Sequence, residues 1–312
     1  LNPAVRQVSY ILQQELKYLS GLYHYDLKKF FDPRLLHCAN IFAFLEDAAL
    51  LEKPFMERLV NLVAGIELLS VGTNLHNFNT GDFIKLAESI NQGDKGYNAG
   101  NGNSAGSRDN ADSGTQKTLF KSEQKYIVDL LFGDIFYSRS VIYLLKYDEH
   151  YIFESILDSL KAVHKSRLIL HQRLSEVTNN IKSSGSSNVD FEIGLRELLE
   201  DNMVPVLGAN SLYKTSFLIG WGLFAGMDLQ GGFNRGQIQF PYEVINDFIL
   251  SKALNDLAGF FNALPKEYFF LKKIKYISEK KAQMRNRLGI SISGFKQDWL
   301  QANFKSLGKL YL

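Results

Sequence analysis

The chain predicts an all-α protein, built as a single large antiparallel helical bundle. Three observations carry that expectation. Apolar residues recur at i, i+3, i+4 spacing in one segment after another. Only six prolines occur in 312 residues, with long stretches free of them. No stretch longer than Gly289 to Gly294 alternates in the manner of a strand. A chain of this length can bury a large core, and residues 1–312 read as one domain. A hydrophobic content of 46% and a charged content of 22% are those of a globular protein. The net charge of +2 gives no argument for a nucleic-acid partner. A single cysteine, Cys38, excludes an internal disulfide framework and a cysteine-based zinc site. The longest uninterrupted apolar run, Phe217 to Met227, has 11 residues, about half of the roughly 20 that a membrane helix needs. The chain is therefore expected to be soluble, with at most peripheral membrane contact. The expected compartment is the cytoplasm or, because the sequence begins at Leu1 rather than Met, the mitochondrial matrix after removal of a targeting segment.

Taken in order, residues 4–22 read as an amphipathic helix with Val8, Ile11, Leu12, Leu16 and Leu19 on one face. Asp32-Pro33 reads as a helix start, with Leu35, Leu36, Ala39, Phe42, Ala43 and Leu45 continuing to about Asp47. Pro54 opens the next helix, whose apolar set is Leu59, Leu62, Val63, Ile66, Leu69 and Thr73. Gly65 and Gly72 lie one heptad apart in it. Since glycine costs about 1 kcal/mol in a helix interior, the pair points to close packing of a second helix. Residues 91–118 change character: from Asn91 to Gln116 there are six Gly and five Asn, with Tyr97 almost the only apolar residue of size. Such a stretch cannot bury enough surface to offset its ordering entropy, so a mobile polar loop is expected there. Helices follow at about 121–146, 151–181, 190–203, 214–229 and 243–263, and a last long basic one starts at Pro265. The count is roughly eight to ten.

Two of these helices carry the functional argument. One ends in Ala64-Gly65-Ile66-Glu67 … Asn74-Leu75-His76, followed by Asn77-Phe78-Asn79-Thr80-Gly81. The other holds Leu131-Phe132-Gly133-Asp134-Ile135-Phe136-Tyr137-Ser138-Arg139-Ser140. Here the sequence resembles the trans-isoprenyl (polyprenyl) diphosphate synthases. In that family a helix of this kind ends in His and an Asp-Asp-x-x-Asp motif, and a later helix carries Gly-Asp before large apolar residues. Weaker matches fall in the same order. Pro33-Arg34-Leu35-Leu36-His37 stands where the family has Gly-Lys-Arg-x-Arg-Pro, and Tyr213-Lys214-Thr215-Ser216 resembles its Lys-Thr element. Ala253 … Leu257 … Ala263-Leu264-Pro265 … Leu271 … Tyr276 resembles its C-terminal segment. The landmarks run from about residue 33 to 280. The resemblance implies an isoprenoid (prenyl diphosphate) synthase-like bundle.

The family's reaction ionises an allylic diphosphate, and Mg²⁺ ions held by carboxylates neutralise the departing charge. This chain departs from that machinery. Asn77, Phe78 and Gly81 occupy the three aspartate positions of the first motif, and Asp82 is one residue out of register. The arginine pair after the motif is absent. For the second motif two alignments stand open. Either Met227-Asp228-Leu229-Gln230-Gly231 occupies it or it is deleted. Arg34 matches the basic subsite for isopentenyl diphosphate, but Pro33 and Leu36 replace the expected Lys and Arg.

The resemblance therefore implies a catalytically silent or regulatory subunit of a heteromeric polyprenyl diphosphate synthase, of the kind that makes quinone side chains. Such a subunit is inactive alone, has no cofactor of its own, and leaves Mg²⁺ to a homologous catalytic partner with intact aspartate-rich motifs. Self-pairing into a homodimer stays open. His76, Gly133 and Asp134 become structural positions, with Asp134 a buried carboxylate that receives hydrogen bonds or pairs with an arginine. Arg34, Lys214 and Thr215 become residual diphosphate contacts. Two alternatives stand beside this: a stand-alone enzyme of the same fold with altered chemistry, and a helical scaffold unrelated to isoprenoids. The six histidines form no metal-ligand pattern, His164 and His171 being seven apart on one helix. The basic residues between Lys272 and Arg287 read as a solvated face, with anionic lipid headgroups as the alternative contact.

Overall fold

The computed structural model describes residues 3–23, 31–45, 52–76, 112–146, 150–183, 193–194, 196–197, 203–226, 240–263 and 275–312. Ten helices are defined in it: α1 Pro3–Tyr23, α2 Leu36–Phe42, α3 Lys53–Leu75, α4 Asp112–Leu145, α5 His150–Ser183, α6 Met203–Ala209, α7 Ser211–Gly226, α8 Tyr242–Ala263, α9 Lys275–Ser293 and α10 Asp298–Tyr311. No strand occurs among the described residues, so the protein is all-helical there. No described helix is long and apolar enough to cross a membrane.

Periodicity explains the long elements. Val8, Leu12, Leu16 and Leu19 of α1 are all buried, forming the stripe that the spacing predicts. Pro54 sits in the first turn of α3, where its missing N–H costs nothing. From Leu59 to Leu75 nearly every residue of α3 is buried, so this helix runs through the interior. It packs most extensively on α4, with α1 against its other side. This half is filled by aliphatic side chains such as Leu12, Leu59, Val63, Ile66 and Leu68.

A second core, formed by α7, α8, α9 and α10 with the end of α2, is aromatic. Phe44, Phe217, Phe248, Phe304 and Tyr311 lie in it fully buried. Most of their rings meet edge-on or tilted, with Phe44 5.4 Å from Phe304 and Phe248 5.1 Å from Tyr311, while Phe217 stacks on Phe248. The carboxylate of Asp247 on α8 is buried and takes the Arg287 side chain of α9, so this buried charge is paired.

Besides α6 Met203–Ala209, which falls between the helices expected at 190–203 and 214–229, three boundaries differ from the sequence expectation. First, α2 is only Leu36–Phe42, not a helix from Pro33 to Asp47. Asp32 makes its own turn instead: its Oδ1 accepts the Arg34 amide at 3.0 Å and its carbonyl accepts the Leu35 amide at 3.2 Å. Leu35 is then forced to φ 49°, outside helical space. Second, α4 begins at Asp112, inside the stretch assigned to the polar loop, and residues 91–111 lie outside the described residues. Third, the C-terminal helix is two helices. The chain turns at Gly294, whose amide bonds to Ser291 O at 3.2 Å, and α10 folds back. The apolar residues of Gly289 to Gly294 thus end a helix.

Candidate functional site

The seam between α3 and α4 brings the two family-like segments together. At Gly72 a Cβ would stand 3.0 Å from both Gly133 O and a Tyr137 ring carbon, and at Gly65 it would stand 2.8 Å from Leu144 Cδ2. At Gly133 a Cβ would overlap the His76 imidazole. The two backbones are close because these side chains are missing, as the heptad-spaced glycines predict. His76 follows the last residue of α3, and its amide closes the helix on Gly72 O at 3.0 Å. Its Nε2 lies 3.0 Å from Leu130 O and 3.3 Å from Asp134 Oδ1. A carbonyl oxygen only accepts, so Nε2 carries the proton and donates. The Tyr137 ring stands edge-on to His76, and its hydroxyl lies 3.1 Å from His164 Nε2 on α5. Burial and the nearby Arg167 hold His164 below the usual histidine range, so its ring nitrogen accepts from Tyr137. Arg167 reaches from α5 to Thr73 O at 2.9 Å, one of the last carbonyls of α3. Burial draws Arg167 down to about 10, which still leaves it a cation at neutral pH.

The second polar group surrounds α2. Six of its seven residues are buried, and no neighbouring side chain in sequence caps its start. Glu67 of α3 does so from outside: its Oε1 accepts the Cys38 amide at 2.9 Å. Burial is the main influence on Glu67 and lifts it to about 8, against the Cys38 amide, which lowers it. Glu67 is therefore mostly protonated at neutral pH and acts as a neutral cap. The far end of α2 is capped by Asn303 of α10, which donates to Ala43 O at 3.1 Å and to Leu45 O at 3.3 Å. His37 Nδ1 lies 2.7 Å from Ser216 Oγ, and Ser216 donates to Leu212 O at 3.0 Å. The imidazole proton therefore sits on Nδ1, and the buried Nε2 has no partner. Burial drops His37 to about 3, so it is neutral. Its ring stacks on Tyr213 at 4.2 Å, and Lys252 stands 5.2 Å from the Tyr213 centroid. Burial alone would lower Lys252, but Tyr213 and Asp256 outweigh it and hold the ammonium above its usual range. Both Asp256 oxygens accept from Lys252, at 2.6 and 2.7 Å.

Of the residues singled out in the sequence, His76, Gly133 and Asp134 do come together at the seam. Asp134 departs from the expected burial: its side chain is 66% exposed and its partner is His76, not an arginine. The reason is register. Gly133 and Phe132 face α3, and Asp134, one position on, falls on the exposed flank of α4 beside His76. Arg34 is held in a fork by Asp32, at 2.6 to 3.1 Å, and also donates to Leu310 O. Its charge is thereby spent on a neighbour. Thr215 is buried and bonds the Ser159 hydroxyl across α5 and α7, which makes it a packing contact. Lys214 is half-buried and makes no ion pair among the described residues. Among the described residues no hydrogen bond or ion pair joins these three to the His76 group. Asn77, Phe78, Gly81 and residues 227–231 lie outside the described residues.

Sequence reading gave no role of their own to Glu67, Arg167, Tyr213 and Lys252, although Glu67 and Tyr213 stand in the family-like segments. Glu67 had a signal, an acid inside the run Val63-Ala64-Gly65-Ile66-Glu67-Leu68-Leu69; Lys252 and Asp256 had one in their i, i+4 spacing. Chemically the centre is closed. Its carboxylates are capped or paired, and burial, then Glu67, holds the Cys38 thiol well above its usual range, so it is no nucleophile. Among the described residues no three His, Cys, Asp or Glu side chains gather into a metal site. Comparison with known protein families, with curated proteins and with solved structures finds no match.

Proposed function

We propose that this chain is the catalytically silent subunit of a heteromeric polyprenyl diphosphate synthase. The observation that carries the reading is the α3–α4 seam. The His that closes one family-like helix is seated on the Gly-Asp of the other, 3.0 Å from Leu130 O, where a Cβ at Gly133 would exclude it. The landmarks are 57 residues apart in sequence, and their meeting at this seam supports the reading.

The donor set argues against a magnesium cluster belonging to this chain. The positions that follow His76 are Asn77, Phe78 and Gly81, none of them an anionic oxygen ligand of the kind Mg²⁺ requires. Asp134 lies two-thirds exposed on the flank of α4 and is engaged by His76. No ionisation step is assigned to these residues. The role left to the chain is to complete and shape a partner that holds the metal.

The test is a reconstitution. The purified chain with farnesyl diphosphate, isopentenyl diphosphate and Mg²⁺ is expected to give no product. A homologous subunit with two intact aspartate-rich motifs is expected to gain activity when this chain is added. Turnover by the isolated chain would instead favour a stand-alone enzyme of altered chemistry. No effect on any such subunit would favour a helical scaffold.

A further inference from the structure

We infer that the outer side of the α9–α10 pair is a docking surface for an anionic lipid bilayer, on which the chain lies peripherally. The charge of the molecule is unevenly placed. Between Lys275 and Leu312 there are eight Lys and Arg against two acids, so a chain of net charge +2 carries +6 in these two helices and their turn. Asp298 stands in the first turn of α10, where the helix dipole favours an acid, and Arg287 is taken up by the buried Asp247. Among the described residues Lys281, Arg285, Lys305 and Lys309 form no ion pair.

These four cations make one ridge. Arg285 donates to Leu312 O at 3.3 Å and Gln301 donates to Ser293 O at 3.1 Å, so α9 and α10 run antiparallel, side by side. Lys305 donates to Gln301 Oε1 at 2.8 Å and therefore stands on the flank of α10 that meets α9. Lys309 lies one turn further along that flank, and Lys281 lies one turn before Arg285. The basic run visible in the sequence ended at Arg287; the fold brings Lys305 and Lys309 to it. Each i, i+4 pair of like charges is carried at a small cost to its helix, which a nearby anion relieves. From Lys281 to Ser293 α9 rises about 18 Å. That is too long for one phosphate group and suits a surface on which anions recur.

The other flank of α9 selects a bilayer among polyanions. Ile290 is 74% exposed and, five residues after Arg285, lies about 140° round the helix from it. Ala282, Asn286 and Gly289 are exposed between the two flanks, and none of them is charged. A lipid surface takes an isoleucine into its acyl boundary while lysine and arginine stems reach the headgroups. A nucleic-acid backbone would leave Ile290 in water, and no aromatic side chain of α9 or α10 is exposed for bases to stack on.

The experiment uses the full chain and vesicles of phosphatidylcholine, with or without about one-third phosphatidylserine. Co-sedimentation is expected to show binding to the anionic vesicles about a hundredfold tighter than to the neutral ones, weakening as salt is raised. Lys305→Gln with Lys309→Gln should weaken it about twentyfold and flatten its salt dependence. Ile290→Ser should weaken it about fivefold and leave the salt dependence as it was. Circular dichroism and melting check that each variant folds, and the comparison of vesicles needs no variant. Equal affinity for both kinds of vesicle, or a lysine variant that binds like the natural chain, would overturn the inference. So would unchanged binding by Ile290→Ser, or a DNA duplex held more tightly than the vesicles through the same two lysines, since either makes another polyanion the occupant. None of these outcomes depends on the isoprenoid reading, which stands or falls in the product assay.

Discussion

The α3–α4 seam and the surroundings of α2 are two opposite ways of placing helix backbone in an interior. At the seam, long helices approach because side chains are absent: Gly72 faces the Gly133 carbonyl, and Gly133 makes room for His76. Around α2, a helix too short to persist alone is held because remote side chains satisfy its ends, Glu67 at the start and Asn303 at the finish. The seam is sensitive to anything added. The α2 site is sensitive to anything left unpaired.

Substitutions at both sites can break or sharpen that contrast. The largest effect is expected from Gly133→Val, which drives a branched side chain into His76; a loss of about 3 kcal/mol or more is expected in thermal or urea unfolding. Equal stability would show that the seam is loose. Next is Glu67→Ala, which strips the Cys38 amide of its acceptor and leaves a cavity, for about 2 to 3 kcal/mol.

Glu67→Gln keeps the acceptor and isolates the titration. Glu67 ionises near 8 when folded, against 4.5 for the free group. Between those values the folded chain holds a proton that the unfolded chain has released, so stability falls as pH rises through the window. His37 acts oppositely, since its folded value of about 3 lies below 6.5 and stability grows with pH between them. Between 4.5 and 6.5 the Glu67 slope is opposed by His37, with His164 adding to the same side, and Glu67 leads from 6.5 to about 8. There the natural chain should lose up to about 1.4 kcal/mol per pH unit, and Glu67→Gln should be flat. A natural chain equally flat would show that Glu67 is ionised in the fold. Asn303→Ala removes the other cap and should cost about 1 kcal/mol. The smallest change has the opposite sign. Gly222 on α7 is exposed with open space around it, so Gly222→Ala should stabilise by about 0.5 to 1 kcal/mol through helix propensity alone.

The long helices were legible because a core-facing stripe repeats within a few residues, as Val8, Leu12, Leu16 and Leu19 do. So was the closeness of the seam, from Gly65 and Gly72. The extent of α2 was not, because the Asp32 turn competes with a helix start at the same residues. The break at Gly294 was missed because the apolar residues before it alternate like a strand while belonging to a helix end. At the candidate site, Asp134 was misjudged because its apolar neighbours are themselves exposed: Leu130 and Leu131 face outward with it. Arg167 could not be found at all, since its acceptor is a backbone carbonyl 94 residues away.

The caps of α2 also bear on the order in which the chain acquires its structure. Asn303 reaches Ala43 across 260 residues of sequence, and Tyr311 reaches the buried Asn40 across 271. Such contacts form only after the intervening chain is assembled. During synthesis α2 emerges early but has nothing to close its C-terminal end until α10 has been made. This short helix should therefore consolidate last, and its amides should exchange only in the openings that also release α10.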